Sequence, residues 1–209
     1  MKFSTNFVAA TREYTTFEKL VPAPLFRREF GLGKVKSAQI TICGLGFYDL
    51  FINGQRITRG LLSSYIANPD DILYYDNYDL SPYLVEGKNV IGVWLGNGML
   101  DCFGGQVWEF DTARFRSAPK LALSFEAETE DGNKVEFDST ADFRCTESPI
   151  YCDDIRVGEF YDATKEVGDW TKVGYDDSAW RETIPAETPR GECRLCDVDP
   201  ILPTHEIKP

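Results

Sequence analysis

The run YDLFINGQRITRG, from Tyr48 to Gly60, is the tightest local constraint in this chain. Tyr48, Leu50 and Ile52 fall on one face of an extended segment, because side chains alternate across a strand. Asn53-Gly54 follows at once. These two residue types accept the positive φ that a type I′ hairpin turn requires at both central positions. A chain that must reverse here builds an antiparallel sheet. The same period of two recurs elsewhere. Ala38, Ile40 and Ile42 share a face, with Gln39 and Thr41 on the other. Leu121, Leu123, Phe125 and Ala127 alternate with Ala122, Ser124, Glu126 and Glu128. They meet Val135 and Phe137 after an Asp131-Gly132-Asn133 turn. Asn89 to Leu95 is continuously apolar enough to be buried on both faces. No amphipathic stretch of three helical turns appears. The expected class is therefore all-β: an antiparallel β-sandwich with long loops and extended termini.

The pass along the chain gives three parts. Residues 1–24 form a lead-in that ends in Val21-Pro22-Ala23-Pro24 and lies against the domain. Residues 25–184 form the sandwich. Within it, Ser81 and Pro82 are expected to cap and start a single helical turn after Leu80. Phe143 to Ile150 and Glu159 to Ala163 read as later strands. Trp170 to Trp180 reads as a polar turn with two Trp anchors, and Asp176-Asp177 as a capped turn within it. Residues 185–209 carry Pro-rich sequence without a clear period and read as an extended tail.

Charge narrows the partners. The net charge is −12, with 34 acidic against 22 basic residues. Phosphate backbones and anionic membrane surfaces repel such a chain, so neither nucleic acid nor membrane is an expected partner. The N-terminus has no continuous apolar core, so no leader is visible. That favours a cytoplasmic protein with reduced cysteines, unless a leader has been trimmed and the protein is secreted. Cys193 and Cys196 have the spacing of half a zinc site, but no second such pair completes it. The single histidine, His205, sits in the tail, so Ser-His-Asp or Cys-His chemistry is not expected. The acidic pairs Asp70-Asp71, Asp153-Asp154 and Asp176-Asp177 lie in turn-like segments, where Asp bonds the local backbone. No catalytic residue is assigned.

The order of VPAPLFRREF, YDLFINGQRI, YYDNYDLSPYLVEGKNVIGVWLGNG, GEFYDATKE, DWTKVGYDDSAW and PILPTHEIKP resembles the N-terminal region of bacterial α-L-rhamnosidases, glycoside hydrolase family 78. The likeness runs from Pro22 to the C-terminus. It implies a jelly-roll, galactose-binding-domain-like sandwich, joined by the closing PILPTHEIKP as a linker to a further β-domain and a catalytic (α/α)-barrel in the same parent chain, with that barrel as the main partner. It also implies contact with rhamnose-containing glycan, sometimes with a calcium ion, though no cofactor is required. The Gly-Asn-Gly motif is followed here by Met99-Leu100, where the family usually has an aromatic pair. The candidate carbohydrate residues are Asn97, Asp101 and Trp108 in the 97–111 loop and Tyr65 and Asn68 in the 65–71 loop. Asp70, Asp71 and Asp101 are the weak calcium candidates. The two loops make a site only if they meet at one end of the sandwich. The expected role is a non-catalytic module. A free-standing lectin-like module and a self-sufficient glycosidase are the alternatives.

Overall fold

The structure is a computed structural model and describes residues 2–102, 109 and 112–208. The strands are β1 (Val8–Ala9), β2 (Pro24–Leu32), β3 (Val35–Leu45), β4 (Tyr48–Ile52), β5 (Gln55–Arg56), β6 (Ile72–Asp79), β7 (Gly87–Leu95) and β8 (Lys120–Thr129). They continue as β9 (Lys134–Asp138), β10 (Arg144–Glu147), β11 (Ile150–Asp154), β12 (Gly158–Tyr161), β13 (Arg181–Glu182), β14 (Ile184–Pro185) and β15 (Glu192–Leu195). Among the described residues there is no α-helix. One sheet runs β14-β1-β8-β3-β6-β15, with β9 also on β8; the facing sheet runs β13-β10-β2-β7-β4-β5. β11 and β12 form a separate hairpin. The all-β sandwich expected from the alternation is the observed fold.

The core lies between the two sheets. Ile40, Ile42, Leu121, Leu123 and Phe125 from one meet Phe26, Leu50, Ile52, Ile91 and Val93 from the other. Asn53 and Gly54 adopt φ of 50° and 85°, as the hairpin turn requires. β7 is buried on both faces because a second layer covers its outer side: Trp170 and Trp180 pack with Leu25, against Trp94 and Phe51. Gly92 makes room for that layer, since a Cβ there would lie 2.8 Å from the Trp170 ring. Gly92→Ala should therefore lose about 1–3 kcal/mol of stability through overpacking, measured by urea denaturation. A loss under about 0.5 kcal/mol would show that Trp170 does not pin this face.

The lead-in and the tail both join the sheet. β1 pairs with β8 and β14, and β15 pairs with β6 in parallel, Glu192 opposite Ile72 and Leu195 opposite Tyr75. This parallel pair departs from a purely antiparallel sandwich. Parallel neighbours need a long crossover, and the intervening chain from β7 to β14 supplies it. The lead-in and tail also cover the outer face of the first sheet. Phe7 is buried with Cys43, Leu73 and Ala122, and Phe3 and Ala186 pack against them. The turn after Leu80 forms, with Tyr83 N–H on the Leu80 carbonyl at 2.9 Å. Its side-chain acceptor is Asp79 rather than Ser81: Asp79 Oδ1 accepts from Ser81 N–H at 2.9 Å and from Ser81 Oγ at 2.6 Å. Ser81 Oγ instead accepts from Ala38 N–H on the neighbouring strand. The carboxylate is the stronger acceptor and lies one residue pair earlier. Asp176 accepts from Ser178 N–H and Trp180 is buried, the capped and anchored turn read from the sequence.

Candidate functional site

Two glycine turns set the floor of the site. The β3–β4 turn, Gly44 to Phe47, and the turn after β7, Gly96 to Gly98, lie flush against each other. Gly46 has φ of 122°, and a Cβ there would fall 2.0 Å from the Gly96 carbonyl oxygen. Gly98 has φ of 52°, and a Cβ there would fall 2.8 Å from Gly46 Cα. Only glycine permits both the dihedral and the approach. The Phe47 carbonyl accepts Gly96 N–H at 2.6 Å and fixes the pair.

Above this floor opens a cleft of about 190 Å³. Its walls include Tyr65, Asn68 and Tyr74 on one side and Met99, Leu100 and Phe115 on the other. The 65–71 and 97–111 loops thus meet at one end of the sandwich, through their described residues. Tyr65 is 54% exposed and stands edge-on to Tyr74, ring centroids 5.5 Å apart. Asn68 shapes the turn beneath it. Its Oδ1 accepts from Asp70 N–H at 3.1 Å, and its Nδ2 donates to Asp71 Oδ2 at 2.9 Å. Among the described lining residues there is no carboxylate.

Asn97 and Asp101 lie beneath the cleft rather than in its lining. Asn97 is 1% exposed, and its N–H donates to both oxygens of Asp153, at 2.9 and 3.0 Å. Among the described residues, neither atom of its side-chain amide has a hydrogen-bond partner. Asp101 is fully buried and accepts from Thr15 N–H at 2.6 Å and Thr15 Oγ1 at 3.3 Å. Burial pushes the Asp101 carboxyl up to about 7, against the pull of the Thr15 bonds and Arg116. Burial also pushes Asp153 up to about 6, with Glu159 and Asp154 adding to it. Asp154 accepts from Cys102 Sγ at 3.0 Å.

Trp108 lies outside the described residues. Asp70 and Asp71 belong to the 68–72 turn, where Asp70 Oδ1 also accepts from Arg190 N–H at 3.4 Å. Asp101 is engaged elsewhere with Thr15, and the described residues hold no group of three or more His, Cys, Asp or Glu side chains placed to hold a metal ion. The sequence reading missed Tyr74, whose signal was the tyrosine-rich alternation of β6. It also missed the Thr15 and Asp153 partners, for which local sequence held no signal.

The chain matches the model of the α-L-rhamnosidase N-terminal domain over residues 33–205. This chain belongs to that family. An α-L-rhamnosidase of Formosa agariphila is 36% identical over 190 residues, which are 83% of this chain and 20% of that protein. One from Streptomyces avermitilis is 31% identical over 184 residues, 87% of this chain and 18% of that protein. The chain therefore spans about a fifth of the length of these curated relatives. The solved α-L-rhamnosidase of Dictyoglumus thermophilum superposes with a TM-score of 0.78 at 31% identity, over 91% of this chain and 22% of that one. The Streptomyces avermitilis enzyme complexed with L-rhamnose gives 0.73 at 30%, over 82% and 17%. A lectin of Pleurotus ostreatus shares the fold alone, with a TM-score of 0.55 at 13% identity, over 88% of this chain and 41% of the lectin. The chain is thus an α-L-rhamnosidase N-terminal domain, and it shares its sandwich fold with that lectin.

Proposed function

We propose that this chain acts as the non-catalytic N-terminal module of an α-L-rhamnosidase-like hydrolase, and that its cleft contacts rhamnose-containing glycan. The observation that carries this reading is the cleft's composition. Aromatic faces and an amide meet across about 190 Å³ of space without a lining carboxylate among the described residues. Tyr65 and Tyr74 offer apolar ring surface, and Asn68 offers donor and acceptor for hydroxyls, which is the chemistry that holds a sugar. Hydrolysis would need two carboxylates about 5–10 Å apart around the scissile bond. The bonds of one acidic pair support this reading: Asp176 bonds the Ser178 backbone, and Asp177 pairs with the buried Arg27. The Streptomyces avermitilis relative complexed with L-rhamnose supports the choice of sugar. The barrel of the same parent chain is the proposed source of catalysis. The relatives' greater length supports that assignment.

Calorimetric titration with L-rhamnose tests the reading. Saturable binding is expected, and Tyr65→Ala should weaken it about five- to ten-fold by removing roughly 1 kcal/mol of ring contact. Binding that survives Tyr65→Ala and Asn68→Ala together would place the sugar elsewhere. Turnover of an aryl rhamnoside by this chain alone would overturn the non-catalytic role.

A further inference from the structure

A second exposed apolar surface sits beside the cleft and is built by two distant segments. The loop from Gly60 to Ile66 presents Leu61, Leu62, Tyr65 and Ile66, which are 48, 55, 54 and 47% exposed. Past β15, the chain crosses this loop. Leu61 N–H donates to the Ile201 carbonyl at 3.0 Å, and the two residues form an antiparallel bridge. Gly60 lets the crossing strap sit flush: a Cβ there would lie 2.6 Å from the Ile201 oxygen and 2.8 Å from Pro200. The strap brings Val198 and Ile201, which are 42 and 57% exposed, to the groove beside this loop, and Leu202, 58% exposed, follows them in the chain. Beside them lies a groove of about 250 Å³ whose apolar lining, Leu61, Leu62, Tyr65 and Ile201, is edged by Asp76, Asp197 and Asp199.

Such a surface is anomalous for a domain alone. Strap and loop are held to each other by backbone bonding, yet their large aliphatic side chains point to solvent from both segments at once. Apolar groups gathered this way mark an interface. The occupant follows from chain direction and from length. The strap carries the polypeptide across this face toward its C-terminus. The matched region is 18–20% of the length of the curated relatives, and the family model it matches is that of an N-terminal domain.

We infer that the surface formed by Leu61, Leu62, Val198, Ile201 and Leu202 docks the next domain of the same rhamnosidase polypeptide, an inference that rests on the module reading above. Contacts between domains of one chain bury roughly 600–1,500 Å² and tolerate a mixed apolar and polar border. Arg59 and Asp76 at the groove supply that border, 3.8 Å apart as an ion pair. Tyr65 lines both the groove and the sugar cleft. Docking here sets the cleft at the edge of the domain junction, where bound glycan would be presented to the neighbouring domain.

Side-chain footprinting of the full-length polypeptide, by carbene labelling, tests this directly. Val85 and Val157 serve as internal references, because they are 54 and 53% exposed on other elements. Leu62, Ile201 and Leu202 should label at least about five-fold less than these references, since interface cores exclude solvent as interiors do. The double variant Leu62→Asp, Ile201→Asp should restore labelling of Leu61 and Leu202 toward the reference level. Equal labelling of Leu62, Ile201, Val85 and Val157 in the unaltered polypeptide would overturn the docking surface. Assaying the same preparation on an aryl rhamnoside keeps the two readings apart. Activity with equal labelling rejects the docking surface alone, whereas protection without activity keeps the docking surface and rejects the rhamnosidase module.

Discussion

Arg27→Ala lowers the unfolding free energy by about 3–5 kcal/mol, the loss typical when one partner of a buried charged network is removed. Arg27 lies on β2 with its side chain 2% exposed. Its Nε donates to the Trp170 carbonyl at 2.9 Å, and its Nη2 donates to the Lys172 carbonyl at 3.2 Å. Nη1 pairs with Asp177, and Nη2 also pairs with Glu29 at 3.1 Å. One guanidinium thus ties the sheet to the whole 170–180 layer, and its planar fork cannot be copied by lysine. Removing it leaves two carbonyls short of a donor and frees the layer that covers β7. Urea denaturation followed by Trp fluorescence measures the loss. Lys88→Ala is the control, because Lys88 is 71% exposed and its pair with Glu29 should contribute under about 1 kcal/mol. A loss below about 1 kcal/mol for Arg27→Ala would mean that the outer layer is held by Trp170 and Trp180 packing alone.

The second large effect is on pH. The Asp101 carboxyl is held at about 7 in the folded protein, mainly by burial, whereas an unfolded aspartate titrates near about 3.9. The folded state therefore binds this proton more tightly. Its stabilising effect is complete below about pH 4 and is lost as pH rises from there to about 7. The shift corresponds to about 2–4 kcal/mol across that window. Asp153, pushed up to about 6, acts in the same direction. Carboxylates held below the usual range, such as Glu29, Asp138 and Glu128, act in the opposite direction, but their effect fades above about pH 4.5, where the unfolded groups are mostly ionised. Unfolding free energies at pH 4.5 and 7.5 should differ accordingly, with the protein more stable at the lower value. Asp101→Asn should flatten most of the slope, since the amide oxygen can still accept the Thr15 N–H. Equal slopes for variant and parent would show that Asp101 carries no proton in this range.

Asp101 also explains why the site was only half legible. The sequence placed it in one loop with Asn97 as a sugar or calcium residue. In the structure its partner is Thr15, 86 positions away in the lead-in. Its acidity belongs to that junction and not to the cleft. Asn97 sits two residues before Met99, yet it is buried with its N–H on the half-buried Asp153 of β11, while Met99 lines the cleft. Tyr65 and Asn68, by contrast, were read from an exposed polar loop and do border the cleft.

The strands, the Asn53-Gly54 hairpin and the buried course of β7 were determined by the sequence itself, because alternation and turn chemistry act between residues close in the chain. The family was legible for the same reason: its motifs are those strands and turns in order. Tertiary structure alone decided the parallel docking of β15 on β6, the strap over Leu61, the Trp layer clamped by Arg27 and the buried partner of Asp101. Each joins segments tens to more than a hundred residues apart. Such contacts are fixed by which surfaces remain uncovered once the two sheets have packed, and no local periodicity encodes that.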